Sequence, residues 1–224
     1  MTLKTYLNRT SDNTDKALPD NKSFLKNHIF LISDLIILML VIAGISLFQD
    51  HADVVLLISW FLIATYIASF RRYKSFSHLM ISTFIAILWV YLARNHYDYN
   101  LTYYKVAGMN LLAVVSWALG LMGILEIFNH FVFKREIIRF LTFVLIFWIV
   151  LILIETYAFH VIVIRNTATG STTGLPFCNC IHAPWWMRLV YSAMGPVFYG
   201  ITKITDRYAH RLIYQRTSVN TFLS

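Results

Sequence analysis

Six apolar stretches, each long enough to cross the hydrocarbon core of a bilayer, dominate this sequence. A helix needs roughly 20 mostly apolar residues for that span. The stretches cover residues 28–48, 54–70, 78–94, 106–130, 138–161 and 187–205. Only 13% of all residues are charged, which is too few to cover the surface of a water-soluble domain. We therefore predict an all-α integral membrane protein, a bundle of about six transmembrane helices.

The Lys and Arg residues fall in alternate connections between these stretches. Fifteen of the 19 lie in the N-terminal tail, the second and fourth connections and the C-terminal end. The remaining four are Arg94, Lys105, Arg165 and Arg188. The positive-inside rule then predicts that both termini are cytoplasmic. The net charge of +8 is explained by this topology, so we expect membrane lipids as partners and no nucleic acid.

The chain divides into a polar cytoplasmic tail at 1–27, a transmembrane domain at 28–206 and a basic cytoplasmic tail at 207–224. The connection 165–186 before the last helix has 22 residues, where compact domains favour about 4–6. The topology places it on the extracytoplasmic side. Residues 175–181 of this connection are too apolar to remain in water, so we expect them to fold onto the outer mouth of the bundle.

Both cysteines of the chain lie in this connection, as Cys178-Asn179-Cys180-Ile181-His182. Thiolate and imidazole ligands favour zinc or copper, and His160 at the end of the fifth stretch is a further candidate ligand. Outside the cytoplasm the two thiols can instead form a disulfide. Three interpretations of Cys178 and Cys180 stay open: structural thiols or a disulfide, a metal site with His160 and His182, or a redox or nucleophilic role.

Glu155 lies inside the outer half of the fifth stretch, where exposure of a carboxylate to lipid is costly. It must therefore face the bundle or a wet cavity. Glu155 and His160 are about 140° apart around a regular helix, so they do not share a face. The functional interpretation makes Glu155 a general acid or base. The structural one makes it a protonated carboxyl that is hydrogen-bonded to a neighbouring helix.

Tryptophan in membrane proteins concentrates at the headgroup level, but Trp117 and Trp148 sit within helices. They predict either ordinary helix packing or an aromatic pocket that binds a lipid, quinone or polyene. Asp34 and Glu126 lie toward the basic side of the membrane. We expect them to pair with basic residues of the adjacent connections, namely Arg71, Arg72, Lys134 and Arg135.

The sequence carries none of the familiar motifs for nucleotide binding, zinc proteolysis or serine hydrolysis. The leading expectation is a membrane-embedded enzyme that acts on a hydrophobic, lipid- or isoprenoid-like substrate near the outer leaflet. Its chemistry would be acid–base, metal or thiol chemistry, carried by Glu155, Cys178 and Cys180. The alternatives are a non-catalytic membrane subunit or assembly partner of a larger complex, and a small transporter.

Overall fold

Six long helices build the computed structural model, which describes residues 21–222 and the side chains of 28–167, 169–209 and 211. They are α1 (Asn21–Leu47), α2 (Ala52–Ser69), α3 (Tyr73–Leu92), α4 (Leu111–Asn129), α5 (Glu136–His160) and α6 (Trp185–Phe222). Residues 1–20 of the expected N-terminal tail and 223–224 of the C-terminal tail lie outside this range. The described parts of both tails are helical, as extensions of α1 and α6.

Five segments of the described chain are helical, long and apolar enough to cross a membrane. They are His28–Leu47, Gln49–Ser69, Tyr73–Leu92, Leu111–Asn129 and Glu136–His160. The prediction of an all-helical chain with several membrane-length apolar helices is therefore confirmed. The sixth predicted stretch lies within α6, which is longer than the others but less apolar.

The main core lies among α3, α4, α5 and α6. The helix α6 contributes Met187, Tyr191, Met194 and Phe198, all of them buried. Their spacing of three or four residues places them on one face of the helix. Gly195 on the same helix allows close approach to α5, because a Cβ at this position would overlap the ring of Phe147.

The helix α1 lies at the side of the bundle, and only its partly buried Val41 and Ile45 pack against a core cluster, the smaller one formed by Ala52, Leu56, Tyr103, Leu112 and Val115. None of its residues from 28 to 47 is buried. It approaches α2 closely at Gly44, where a Cβ would lie 2.9 Å from Cγ1 of Val55. Further contacts lie toward its two ends, where Asp34 pairs with Arg72 and Ser46 meets Tyr157.

A short hairpin precedes α4, where the sequence predicted that the helix would already begin at 106. Its strands are β1 (Lys105–Val106) and β2 (Met109–Asn110). Ala107 and Gly108 have φ angles of 50° and 76°, as tight hairpin turns require. The Asn110 side chain then accepts a hydrogen bond from the Leu112 N–H at 3.0 Å and caps the helix. The helix consequently begins five residues later than predicted, at Leu111.

The connections gather at two ends of the bundle. The basic end holds the α2–α3 connection (70–72) and the α4–α5 connection (130–135). The loop end holds the α3–α4 connection (93–110) and the α5–α6 connection (161–184). These last two are joined by a β-bridge between Tyr99 and Asn166 and by a hydrogen bond of 2.9 Å from Asn100 N–H to the Arg165 carbonyl.

Candidate functional site

Glu155 lies near the loop end of α5. Its negative charge contributes to the raised pKa of Tyr97 and of Tyr99, both of which lie in the α3–α4 connection. It nevertheless makes no hydrogen bond or ion pair with any residue in the part of the chain that the structure describes. The orientation keeps the carboxyl away from lipid, as its solvation demands.

Tyr97 is the centre of a hydrogen-bonded cluster beside Glu155. Its hydroxyl oxygen accepts the indole N–H of Trp89 at 2.7 Å and that of Trp117 at 2.9 Å. It also lies 2.9 Å from the Tyr191 hydroxyl oxygen. One phenol therefore joins α3, α4 and α6, and we call these four residues the Tyr97 cluster.

The phenols of the α3–α4 connection keep their protons near neutral pH. Burial raises the pKa of Tyr97, against the lowering effect of its three hydrogen bonds, and the charge of Glu155 raises it further. Burial also raises the pKa of Tyr99 well above its usual value, again with a contribution from Glu155. Because protonated phenols donate hydrogen bonds, the surroundings of Glu155 are rich in O–H donors.

The two tryptophans predicted to line a pocket take different places. Trp117 belongs to the Tyr97 cluster, and its ring lies 5.0 Å from that of Tyr191. Trp148 packs, half-buried, against the main core. The structure therefore brings Trp117 close to the Glu155 neighbourhood, while Trp148 contributes to helix packing.

The four candidate ligands His160, Cys178, Cys180 and His182 meet on the α5–α6 connection. Cys178 and Cys180 form a disulfide, with Cys180 fully buried and Cys178 half-buried. His160 donates from Nε2 to the Cys178 carbonyl at 3.0 Å. The His182 ring stacks on Phe159 at a centroid distance of 4.4 Å. These contacts dock residues 175–183, which we call the disulfide segment, on the end of α5.

The backbone of the disulfide segment is tightly wound. The Leu175 N–H donates to the Cys180 carbonyl at 2.8 Å. Asn179 and Ile181 have φ angles of 45° and 53°, and the left-handed region is unusual for a β-branched residue such as Ile181. Ile181 is also buried in the main core. The segment is therefore held by packing in a conformation that it would not adopt alone.

The donors of this region do not form a metal site in the structure. Both sulfur atoms are bonded to each other, so neither is a thiolate ligand. The described residues contain no group of three or more His, Cys, Asp and Glu that could hold a metal ion. The pKa of His182 is lowered by burial and by the charges of Arg188, His160 and Arg165. His182 is therefore mainly neutral at pH 7.

A cavity of about 550 Å³ lies between α1 and α5, with α2 and α4 as its walls. This volume falls within the range of small-molecule pockets in proteins. Along α4 the lining runs from Leu112 to Ile127, a length of about 22 Å at 1.5 Å per residue. Its walls are overwhelmingly aliphatic. Neither Glu155 nor the two candidate tryptophans contribute to the lining.

The two ends of the cavity differ in chemistry. At the basic end it meets the charged groups of Asp34, Arg72 and Glu126. At the loop end it reaches Tyr157, whose hydroxyl lies 2.5 Å from the Ser46 hydroxyl. This contact joins α5 to α1 across the end of the cavity. The cavity thus has the shape and polarity that suit an extended apolar chain.

Charged groups at the basic end are mutually paired. Arg72 donates to both carboxylate oxygens of Asp34, at 2.8 and 3.0 Å, and to Glu126 at 3.0 Å. His78 bonds Glu126 through Nδ1 at 2.9 Å and Asp206 through Nε2 at 3.3 Å. The prediction that Asp34 and Glu126 pair with a basic residue of an adjacent connection is confirmed, and the partner is Arg72.

Sequence reasoning missed Tyr97, Tyr99 and Tyr191. A signal was present in Trp89 and Trp117. An indole N–H that is buried inside a bundle needs an acceptor, and a tyrosine hydroxyl is one of the few that apolar helices offer. The two buried indole N–H groups therefore predict that an acceptor lies near Trp89 and Trp117, but they do not identify which tyrosine supplies it.

Comparison of the chain with protein-family models, with curated proteins and with solved structures finds no match. The features of the molecule that bear on its function are therefore the cavity, the surroundings of Glu155 and the disulfide segment.

Proposed function

We propose that this protein is a membrane-embedded enzyme that holds a lipid- or isoprenoid-like substrate in the cavity between α1 and α5. The cavity is the observation that carries the proposal. It is long, aliphatic and lined by an α1 with no buried residue between 28 and 47. In a membrane, bilayer lipid surrounds an apolar helix such as α1. The apolar chain of a substrate can therefore enter the cavity beside α1 without crossing water.

Glu155 is the proposed acid or base. It makes no hydrogen bond or ion pair with any described residue. Tyr157, two residues further along α5, lines the cavity, so Glu155 lies at the level of this end of the cavity, on the other face of the helix. A substrate with its chain in the cavity then has its polar part near this end. The proposal gives no role to a thiolate or a metal, because Cys178 and Cys180 are paired with each other.

The proposed topology has six spans, with α6 as the last, and places the basic end in the cytoplasm. The support is the division of Lys and Arg between the connections and the packing of α6 into the main core. Reporter fusions after Ser224 and within residues 169–173 should report opposite sides of the membrane. Equal signals from both fusions would contradict the six-span topology.

Filling the cavity tests the binding part of the proposal. Gly123 lines the cavity, and a Cβ at this position would meet open space. Gly123→Phe should therefore fold and reduce co-purified lipid several-fold, as measured by mass spectrometry of extracts from the purified protein. Gly200→Phe is the matched control, since Gly200 also has open space but lies outside the cavity lining. Equal lipid contents in the two variants would contradict the proposal.

The catalytic part needs a separate measurement. Wild-type protein incubated with a membrane lipid extract should convert one component, which untargeted mass spectrometry detects as a paired loss and gain. Glu155→Gln should retain the bound lipid and abolish the conversion. A Glu155→Gln protein with full conversion would contradict the role of Glu155. Bound lipid without conversion in the wild type would instead favour a non-catalytic lipid-binding subunit.

A further inference from the structure

Two buried polar side-chain atoms at the basic end have no hydrogen-bond partner among the described residues. They are Nε of Arg139 on α5 and the hydroxyl oxygen of Tyr199 on α6. A buried donor without an acceptor destabilises a fold, so polar groups of this kind are commonly satisfied by a bound water or ion. Both atoms therefore indicate that something outside the chain completes this part of the bundle.

Arg139 is a partly buried cation whose neighbours do not neutralise it. One of its terminal N–H groups donates to Oδ1 of Asn129 at 2.9 Å. Its guanidinium carbon lies 5.9 Å from the centre of the Phe128 ring, which is itself 6.5 Å from the ring of Tyr199. In the part of the chain that the structure describes, no carboxylate pairs with Arg139, whereas two carboxylates pair with Arg72. The positive charge and the Nε–H of Arg139 are thus available to an anion.

The packing of α5 on α6 places Arg139 beside Tyr199 and Lys203. Glu136, Arg139 and Phe143 share one face of α5, because they are three and four residues apart. The two outer members of this face both contact α6. Oε2 of Glu136 lies 3.5 Å from Nζ of Lys203, and the rings of Phe143 and Tyr199 are 4.8 Å apart. Nζ of Lys203 lies 5.5 Å from the centre of the Tyr199 ring, so Arg139 faces α6 between these contacts.

The three side chains match the chemistry of a phosphate group. Nε of Arg139, Nζ of Lys203 and the Tyr199 hydroxyl can all donate hydrogen bonds, and arginine and lysine both bind phosphate in proteins. Their two positive charges are opposed by one carboxylate, that of Glu136, whose side chain is 69% exposed and therefore screened by water. A water molecule would satisfy the buried atoms but would leave this positive charge in excess, which an anion balances.

We infer that Arg139, Tyr199 and Lys203 form a binding site for one phosphate group, that of an anionic lipid or that of the free ion. We call these three residues the phosphate site. In the proposed topology they lie near the cytoplasmic headgroups, where basic pockets between helices bind anionic lipids. None of the three lines the cavity. The phosphate site therefore goes beyond the proposed function and does not depend on it.

Thermal unfolding of the full chain, delipidated in a neutral detergent, tests the phosphate site with three probes. They are dioleoylphosphatidylglycerol, dioleoylglycerol, which has the same tails without the phosphate, and inorganic phosphate compared with chloride at equal ionic strength. A ligand that binds the folded chain raises its unfolding temperature. We expect phosphatidylglycerol to bind about tenfold or more tightly than dioleoylglycerol if the site takes a lipid. A rise with inorganic phosphate would instead identify the free ion.

Either of these results supports the phosphate site and identifies the source of the phosphate. Equal affinities for the two lipids, together with no effect of inorganic phosphate, would overturn the inference.

Charge-removing variants locate the binding. Arg139→Gln and Lys203→Gln should each weaken the binding of the phosphate probe about tenfold, because each removes a hydrogen bond to a charged group. Arg71→Gln is the matched control, since it removes the same charge from an exposed position at the same end of the bundle. It should bind the probe as the wild type does. Equal weakening by Arg71→Gln and Arg139→Gln would show a general attraction to positive charge and would overturn the site.

Tyr199→Phe separates binding from a structural role, and it carries the test if Arg139→Gln does not fold. The hydroxyl has no described partner, so its removal should leave the unfolding temperature without ligand unchanged or raised. The rise that the phosphate probe produces should become smaller. A fall in the unfolding temperature without ligand would show that the hydroxyl is bonded within the protein and would overturn the inference. A full rise with the probe in both Tyr199→Phe and Lys203→Gln would also overturn it.

Discussion

The basic end and the loop end of the bundle each hold a glutamate within a helix, Glu126 and Glu155, and the two glutamates have different surroundings. At the basic end Glu126 receives hydrogen bonds from Arg72, Ser75 and His78. At the loop end Glu155 receives none from the described residues. A fully partnered carboxylate fixes helices to one another, whereas an unpartnered one remains available to a ligand. The contrast agrees with a structural role for Glu126 and, in the proposed function, with a chemical role for Glu155.

The largest expected effect comes from removing the central cation of the basic end. Arg72→Leu leaves Asp34 and Glu126 without their arginine partner, with only the histidines His130 and His78 beside them, in a site where the Arg72 side chain is only 12% exposed. Breaking a buried ion pair from one side typically costs about 3–5 kcal/mol. We expect a corresponding fall in the unfolding temperature in nanodiscs. Arg71→Leu is the control, since Arg71 is exposed and has no described ion pair; equal destabilisation by both would refute a structural role for Arg72.

Breaking the Tyr97 cluster at the loop end should have the next largest effect on the free energy of unfolding. Tyr97→Phe leaves the indole N–H groups of Trp89 and Trp117 without their acceptor. Each unmet buried donor costs about 1–3 kcal/mol, and the Trp117 N–H is only part-buried and so falls at the low end of this range. We therefore expect a loss of about 2–4 kcal/mol and a changed tryptophan emission. Tyr104→Phe should change neither, because Tyr104 is exposed. Unchanged emission in Tyr97→Phe would contradict the hydrogen bonds from Trp89 and Trp117 to Tyr97.

The same substitution, glutamate to glutamine, can be made at both ends to compare the two carboxyl groups. Glu126→Gln removes the charge that holds Arg72 and His78, and hydrogen bonds to charged groups contribute roughly 1.5–3 kcal/mol each. Glu155→Gln breaks no described contact, so its effect on stability should remain within about 0.5 kcal/mol. Thermal unfolding of the two variants measures the difference. Equal losses would show that Glu155 is as structural as Glu126.

The smallest effect concerns pH at the loop end. The pKa of His182 lies below its usual 6.5 when the segment is docked, so the undocked segment binds a proton more readily. The docking free energy that neutral His182 provides is present above pH 6.5 and declines as the pH falls below it. Hydrogen exchange of residues 175–183 should therefore accelerate between pH 7 and pH 5, after correction for intrinsic rates.

His182→Phe preserves the stacking on Phe159 and has no proton to gain. The corrected exchange rate of this variant should be the same at both pH values. A wild-type segment that is better protected at pH 5 would show that the sign of the His182 effect is wrong.

The fold was more predictable than the site because its main determinant is local. Apolar length alone identified the helices, and the start of α4 was missed only because Gly108 and Asn110 redirect the chain just before it. The high cost of exposing a carboxylate to lipid was enough to predict that Glu155 faces the bundle or a wet cavity. Tyr97 and Tyr99 come from a distant part of the sequence, and no local pattern pairs them with α5. The disulfide of Cys178 and Cys180 was one of three open alternatives, since Cys-x-Cys spacing permits each of them.

The pairing of Asp34 with Arg72 has a consequence for the biosynthesis of the chain. In the proposed topology Asp34 enters the membrane first, several residues inside the first apolar segment, while Arg72 is still 38 residues away on the ribosome. Until the α2–α3 turn emerges, this carboxyl has no arginine partner, and α1 is expected to wait beside the translocon. The first three helices are therefore expected to leave the translocon together, as a single unit of insertion.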